Sequence, residues 1–154
     1  MLHHLSIAVK NPAKVASVLG NLLQGKTFPF PPLPDSYIVI VEDEHGTAIE
    51  ISPLGLEFIP GETEFDSQHN SLPSNFTATH VAISVPISQS EIEAIAEQEN
   101  WLCRYCDRGV FDVIELWIEN HLLFELITPE MNSRYLNFMS DAENFSNFIA
   151  TAVG

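Results

Sequence analysis

The feature that most constrains this chain is that it states one pattern twice. His4-Leu5-Ser6-Ile7-Ala8-Val9 near the start is matched by His80-Val81-Ala82-Ile83-Ser84-Val85 in the second half. Each copy is a histidine followed by alternating large aliphatic and small residues, the signature of a half-buried β-strand. Each is followed by a helical stretch and, later, by a strand carrying one glutamate. These strands are Ala48-Ile49-Glu50-Ile51 and Leu123-Phe124-Glu125-Leu126. Forty-six positions separate His4 from Glu50 and forty-five separate His80 from Glu125, and the second copy trails the first by 75 or 76. A fixed long period marks a duplicated structural unit. It therefore places two histidines and two glutamates at equivalent points of two copies.

Between these landmarks each copy reads strand, helix, strand, strand, strand. In the first, residues 5–10 alternate as a strand. Asn11-Pro12 is a helix start, with Asn as cap and Pro at the first helical position. Val15, Val18, Leu19, Leu22 and Leu23 follow at helical spacing, with Gly25 as the expected stop. Pro29, Pro31, Pro32 and Pro34 confine residues 26–34 to an edge strand or a loop. Residues 37–42 and 47–52 form a hairpin across Asp43-Glu44-His45-Gly46. In the second copy Ser88-Gln89-Ser90-Glu91 is a capping box. Strands are expected at 102–108, 110–118 and 121–128, with Glu119-Asn120 as a turn. The expected organisation is one two-module domain: module 1–53, linker 54–77, module 78–128 and a helical tail 129–154. Neither copy, at about 75 residues, would be more than marginally stable alone.

The chain of 154 residues carries 21 acidic residues against six Lys and Arg, a net charge of −15. That balance argues against nucleic acid, whose binding requires a cationic face, and against anionic membrane surfaces. No stretch is long and apolar enough for a transmembrane helix. No basic segment followed by an apolar run opens the chain, so the expected location is cytoplasmic.

Strand parity gives the four landmarks a shared setting. His4, Ser6 and Ala8 lie on one face and Leu5, Ile7 and Val9 on the other, and His80, Ala82 and Ser84 repeat this against Val81, Ile83 and Val85. The aliphatic faces are expected to pack on each unit's own helix. The other faces are small enough to leave room for a cavity. Glu50 lies with Ala48 and Ser52, and Glu125 with Leu123 and His121. Two imidazoles and two carboxylates, His4, Glu50, His80 and Glu125, suit a divalent transition metal such as Zn, Ni, Co, Mn or Fe. Octahedral coordination would leave two positions for water or substrate.

On these stretches, together with Glu42-Asp43-Glu44-His45-Gly46-Thr47 leading into the Glu50 strand, the chain resembles the vicinal oxygen chelate superfamily. That superfamily includes glyoxalase I, methylmalonyl-CoA epimerase, fosfomycin-resistance proteins, bleomycin-resistance proteins and extradiol dioxygenases. The hairpin before Glu50 is similar to the family's Asp-Pro-Asp-Gly-x-x-Ile-Glu-Leu pattern. The resemblance covers residues 3–128, apart from the proline-rich stretch and the linker. It implies an α+β fold of two βαβββ modules forming a cupped mixed sheet, here with a C-terminal helical extension. It also implies a metal held by His4, Glu50, His80 and Glu125, a ligand set most similar to that of glyoxalase I. Where that enzyme's pattern has an arginine and an asparagine serving glutathione, this chain has Ala8 and Leu54.

The function this resemblance implies is that of a metal-dependent isomerase or lyase acting on a small substrate with vicinal oxygens through an enediolate-type intermediate. Glu125 would be the mobile ligand and general base, with Glu50 a catalytic partner. A homodimer is the expected assembly. The alternatives are a non-catalytic small-molecule binding protein of the bleomycin-resistance type and an Fe-dependent dioxygenase. Arg104 and Arg108 share a strand parity and are candidates to hold a substrate anion, although pairing with acids is the commoner role. His121, on the face of Glu125, is a candidate to support the site. Tyr37 and Glu115 are further candidates to line it, with strand register undecided. Cys103 and Cys106 form a lone C-x-x-C whose members should point to opposite faces of a strand, which disfavours a disulfide.

Overall fold

The computed structural model describes residues 2–152, and the chain divides into two compact units after Thr77. The first contains β1 (His4–Val9), α1 (Pro12–Leu23), β2 (Lys26–Pro29), β3 (Tyr37–Ile40), β4 (Ala48–Pro53), β5 (Leu56–Pro60) and β6 (Phe65–His69). Its main sheet has the order β1-β4-β3-β2, with β1 parallel to β4 and the other pairs antiparallel. The proline-rich stretch thus yields a short edge strand, β2, where prolines can be accommodated. The rest of that stretch folds back on itself: Phe30 N–H donates to the Ser36 carbonyl at 2.8 Å, and Ser36 Oγ donates to Ser52 Oγ at 3.0 Å.

Helix α1 starts as its sequence dictates, with Asn11 Oδ1 accepting from the Lys14 N–H at 3.1 Å and Pro12 in the first turn. Val15, Val18, Leu19, Leu22 and Leu23 are all buried, and the sheet presents Val9, Val39, Ile49 and Ile51 as its buried face. Each such side chain contributes about 1.5–3 kcal/mol by leaving water. The helix stops one residue earlier than expected, at Gln24, whose φ of 50° is left-handed. Gly25 is required for a different reason: a Cβ there would sit 2.8 Å from the Ile40 carbonyl oxygen of β3.

The second unit contains β7 (Val81–Ser84), α2 (Gln89–Glu99), β8 (Leu102–Asp107), β9 (Asp112–Ile118), β10 (Leu122–Ile127), α3 (Pro129–Met139) and α4 (Ala142–Ala152). Its sheet order, β7-β10-β9-β8, repeats the first unit's plan with β7 parallel to β10. The expected capping box forms at Ser88 and Glu91. Glu119 and Asn120, both at positive φ (49° and 60°), make the tight β9–β10 turn. Ile92 and Ala96 of α2 and Ile114, Leu116, Phe124 and Leu126 of the sheet are buried. The helical tail is α3 and α4. Arg134 of α3 pairs with Asp112 at the start of β9. No described helix is long and apolar enough to cross a membrane.

The segment read as a linker, 54–77, holds a hairpin of its own, β5 with β6. Glu57 accepts from Gln68 Nε2 at 2.9 Å and from Asn70 Nδ2 at 2.7 Å, which holds its carboxyl below the usual range. At Gly55, with φ 99°, a Cβ would lie 2.6 Å from the Asn70 carbonyl oxygen, so only glycine lets the strand ends close. Its pattern of charged and polar residues hides this strand pair from a reading by hydrophobic alternation, because β6 is exposed along its whole length.

Candidate active site

In the first unit the polar sheet face begins with β1. His4 and Ser6 are exposed while Ile7 and Val9 are buried. Parallel pairing sets Ser6 opposite Glu50, and Ser6 Oγ donates to Glu50 Oε2 at 2.7 Å. On the other side of Glu50 lies Ile38 of β3, and beyond it Phe28 of β2. Tyr37 pairs with Ile51 and so belongs to the opposite, helix-packed face. His4, Ser6 and Glu50 open into a cavity of about 770 Å³. Its other walls are the 30–33 loop and the β5–β6 hairpin.

The second unit repeats the frame with different neighbours. His80 stands just before β7. Its Nδ1 lies 3.2 Å from the Ala78 carbonyl, and its Nε2 faces Glu125 Oε2 at 3.8 Å. Glu125 is paired across the sheet with Ala82 on one side and Glu115 on the other, and Glu115 with Arg104 beyond. Arg108 closes the row from the β8–β9 connection, with Nη2 at 2.6 Å from Glu125 Oε1 and 2.7 Å from Glu115 Oε1. Arg104 Nη2 lies 2.6 Å from Glu115 Oε2, and Trp117 Nε1 donates to the same oxygen at 3.3 Å. Burial pushes the Glu115 carboxyl up, but the donors from Arg104, Trp117 and Arg108 outweigh it and hold its pKa below the usual range. The hydrogen bond to Glu125 is the largest influence raising that of Arg108.

The structure therefore brings Arg104, Arg108, Glu115 and Glu125 together with His80. His121 is buried, but its contacts run to Glu119, with Nδ1 at 3.4 Å from that residue's carbonyl; among the described residues its Nε2 has no hydrogen-bond partner. The two cysteines are unbridged, as expected. Burial and Glu93 push the Cys103 thiol up to about 11. Cys106 is raised too, by burial and by Glu115, so the two thiols answer to opposite faces of β8.

Among the described residues no group of three or more His, Cys, Asp or Glu is assembled as a metal site. The expected ligands stand as two pairs, one per unit. The chemistry of each pair fits a divalent cation. In the second pair, His80 Nδ1 lies beside the Ala78 carbonyl and Nε2 faces Glu125 Oε2, while Arg108 meets the other carboxylate oxygen.

No protein-family model and no curated protein significantly matches the sequence. Solved structures do match. The chain is similar to the genomically encoded fosfomycin resistance protein FosX of Listeria monocytogenes in its hexagonal form. The identity is 17%, 87% of this chain and 97% of that one are covered, and the TM-score is 0.57. The fold is the vicinal oxygen chelate fold. The same Listeria protein complexed with Mn(II) and sulfate matches at 17% identity, covering 82% of this chain and 87% of that one, with a TM-score of 0.54. Its glutamate-to-glutamine variant, complexed with Mn(II) and 1S,2S-dihydroxypropylphosphonic acid, matches with the same identity, coverage and TM-score. The expected α+β architecture of two βαβββ units followed by helices is thus the observed one.

Proposed function

We propose that this chain is a metal-dependent enzyme of glyoxalase type, an isomerase or lyase acting on a small substrate with two adjacent oxygens. The observation that carries the reading is His80 Nε2 facing Glu125 Oε2 at 3.8 Å. This occurs in a fold whose Mn(II)-bound neighbour takes a ligand with two adjacent hydroxyls. His4, Glu50, His80 and Glu125 would hold the cation. When bound, it supplies a Lewis acid that polarises a substrate carbonyl. Glu125, as a mobile ligand that leaves the cation, would take the proton from the carbon beside that carbonyl on Oε2 and return it to the neighbouring one. Arg108 holds Oε1 and so fixes which oxygen faces the substrate. Glu50, which accepts from Ser6 Oγ, would be its catalytic partner.

The test is metal content of protein purified without chelator, followed by Mn(II), Ni(II), Zn(II), Co(II) and anaerobic Fe(II) titration. The expected result is about one equivalent per chain, lost in His80→Ala, with Glu125→Gln abolishing turnover in a screen of dicarbonyls and acyl-CoA esters. Absence of uptake for every metal overturns it. One observation favours a second reading, a metal-free small-molecule binding protein: Arg108 already neutralises Glu125. Metal-independent ligand binding without turnover supports that alternative.

A further inference from the structure

The cavity of the first unit is built from chemistry that the repeat does not supply. One end carries His4, Ser6 and Glu50. Its sides are aromatic: Phe30 from the proline-rich loop, and Phe58 and Phe65 from the β5–β6 hairpin, whose rings stack at a tilt with centroids 4.7 Å apart. Both hairpin rings remain open to solvent, Phe58 46% and Phe65 59% exposed. Large rings left uncovered on a cavity wall gain by covering a ligand of similar character. The charged groups lining the cavity, apart from His4, are all carboxylates: Glu50, Glu64 and Asp66. Among the described residues no lysine or arginine lines it, so a phosphonate or phosphate entering past the hairpin would meet the like charge of Glu64 and Asp66.

We infer that the β5–β6 hairpin is the selectivity element of this site, and that the cavity admits an uncharged substrate with an aromatic body rather than an anionic phosphonate. The aromatic body lies against Phe58 and Phe65, and its adjacent oxygens point to His4 and Glu50. Glu64 and Asp66 at the hairpin reject anions. The inference rests on the proposed function in one respect, that the His4–Glu50 end is where the reacting oxygens sit. It separates this chain from its Listeria structural neighbour, which is seen with a dihydroxypropylphosphonic acid.

Ligand-observed NMR on the full, metal-free chain tests this with three probes. These are 1-phenylethane-1,2-diol, propane-1,2-diol and 1,2-dihydroxypropylphosphonic acid. The phenyl diol is expected to bind and the phosphonate not. Propane-1,2-diol should be weaker than the phenyl diol by about tenfold, the share of one ring's burial. Phe58→Ala and Phe65→Ala should each weaken the phenyl diol several-fold with an unchanged circular dichroism spectrum, because both rings are surface residues. Glu64→Gln combined with Asp66→Asn should make phosphonate binding measurable. Tighter binding of the phosphonate than of the phenyl diol, equal binding of the two diols, or no effect of the phenylalanine variants overturns the inference. A chain that takes up Mn(II) yet prefers the phosphonate keeps the proposed function and loses this inference. A chain that takes up no metal but binds the phenyl diol through Phe58 and Phe65 loses the proposed function and supports this one.

Discussion

The two sheets share one frame and differ in what surrounds their glutamates. Across the first sheet the row through Glu50 reads Ser6, Glu50, Ile38, Phe28. Across the second, the row through Glu125 reads Ala82, Glu125, Glu115, Arg104. Glu50 receives a neutral hydroxyl, while Glu125 receives a guanidinium that also binds Glu115. A duplicated fold therefore fixes where each glutamate stands, while the strands beside it set its electrostatics. The second glutamate is held by charge in a polar row. The first sits on an apolar floor beneath an aromatic hairpin.

The sharpest way to break this comparison is to remove one histidine at a time. If both rows serve one cation, His4→Ala and His80→Ala each cost Mn(II) affinity by about a hundredfold or more, as losing a direct ligand exceeds the usual cost of losing a supporting one. Isothermal titration reads this, and a large loss in only one variant would show that the two copies are not equivalent.

Arg108→Gln sharpens the contrast next. It removes the cation from Glu125 and should tighten Mn(II) by about tenfold, because a positive charge beside a metal ligand opposes the metal. Weaker binding in that variant would mean that Arg108 orients the carboxylate more than it competes for it.

Stability differences should be smaller. Glu115→Ala leaves Arg104 and Arg108 without their shared partner and should cost about 1–2 kcal/mol, discounted because both arginines reach solvent. Ser6→Ala, which removes one hydroxyl from an open site, should cost about 0.5–1 kcal/mol. Urea denaturation orders the two, and equal costs would erase the difference between the rows.

The smallest effect is a pH dependence confined to the second unit. Asp112 accepts from the Tyr105 hydroxyl, the larger cause, and from Arg134 of α3, so its pKa lies below the ordinary carboxylate value. A depressed folded pKa means the tie contributes fully above the ordinary value, about 4, and is lost as pH falls through the depressed one. Amide exchange in α3 should rise over that acid range, and Arg134→Gln should flatten the rise.

Much of this was legible because strand parity and period are local properties of a sequence. The alternation after His4 and His80 fixed which face is buried, and Ile7, Val9, Ile49, Ile51, Phe124 and Leu126 are buried as that alternation requires. The capping box at Ser88 and the turn at Glu119-Asn120 are equally local and equally readable. Register is not local. That Tyr37 falls on the helix side while Glu115 lies beside Glu125 depends on strand pairing, which no single strand encodes. The role of Arg108 depends on pairing too, since it reaches from the end of β8 past β9 to meet Glu125 on β10. The β5–β6 hairpin escaped the pattern because its strands are largely solvent-facing, held by Glu57, Gln68 and Asn70 rather than by a buried stripe. By itself, the sequence determined the duplicated frame and the equivalent places of His4, Glu50, His80 and Glu125 within it. Only the tertiary structure decided which charges and rings stand beside them, because side chains far apart in the chain become neighbours only when the strands pair.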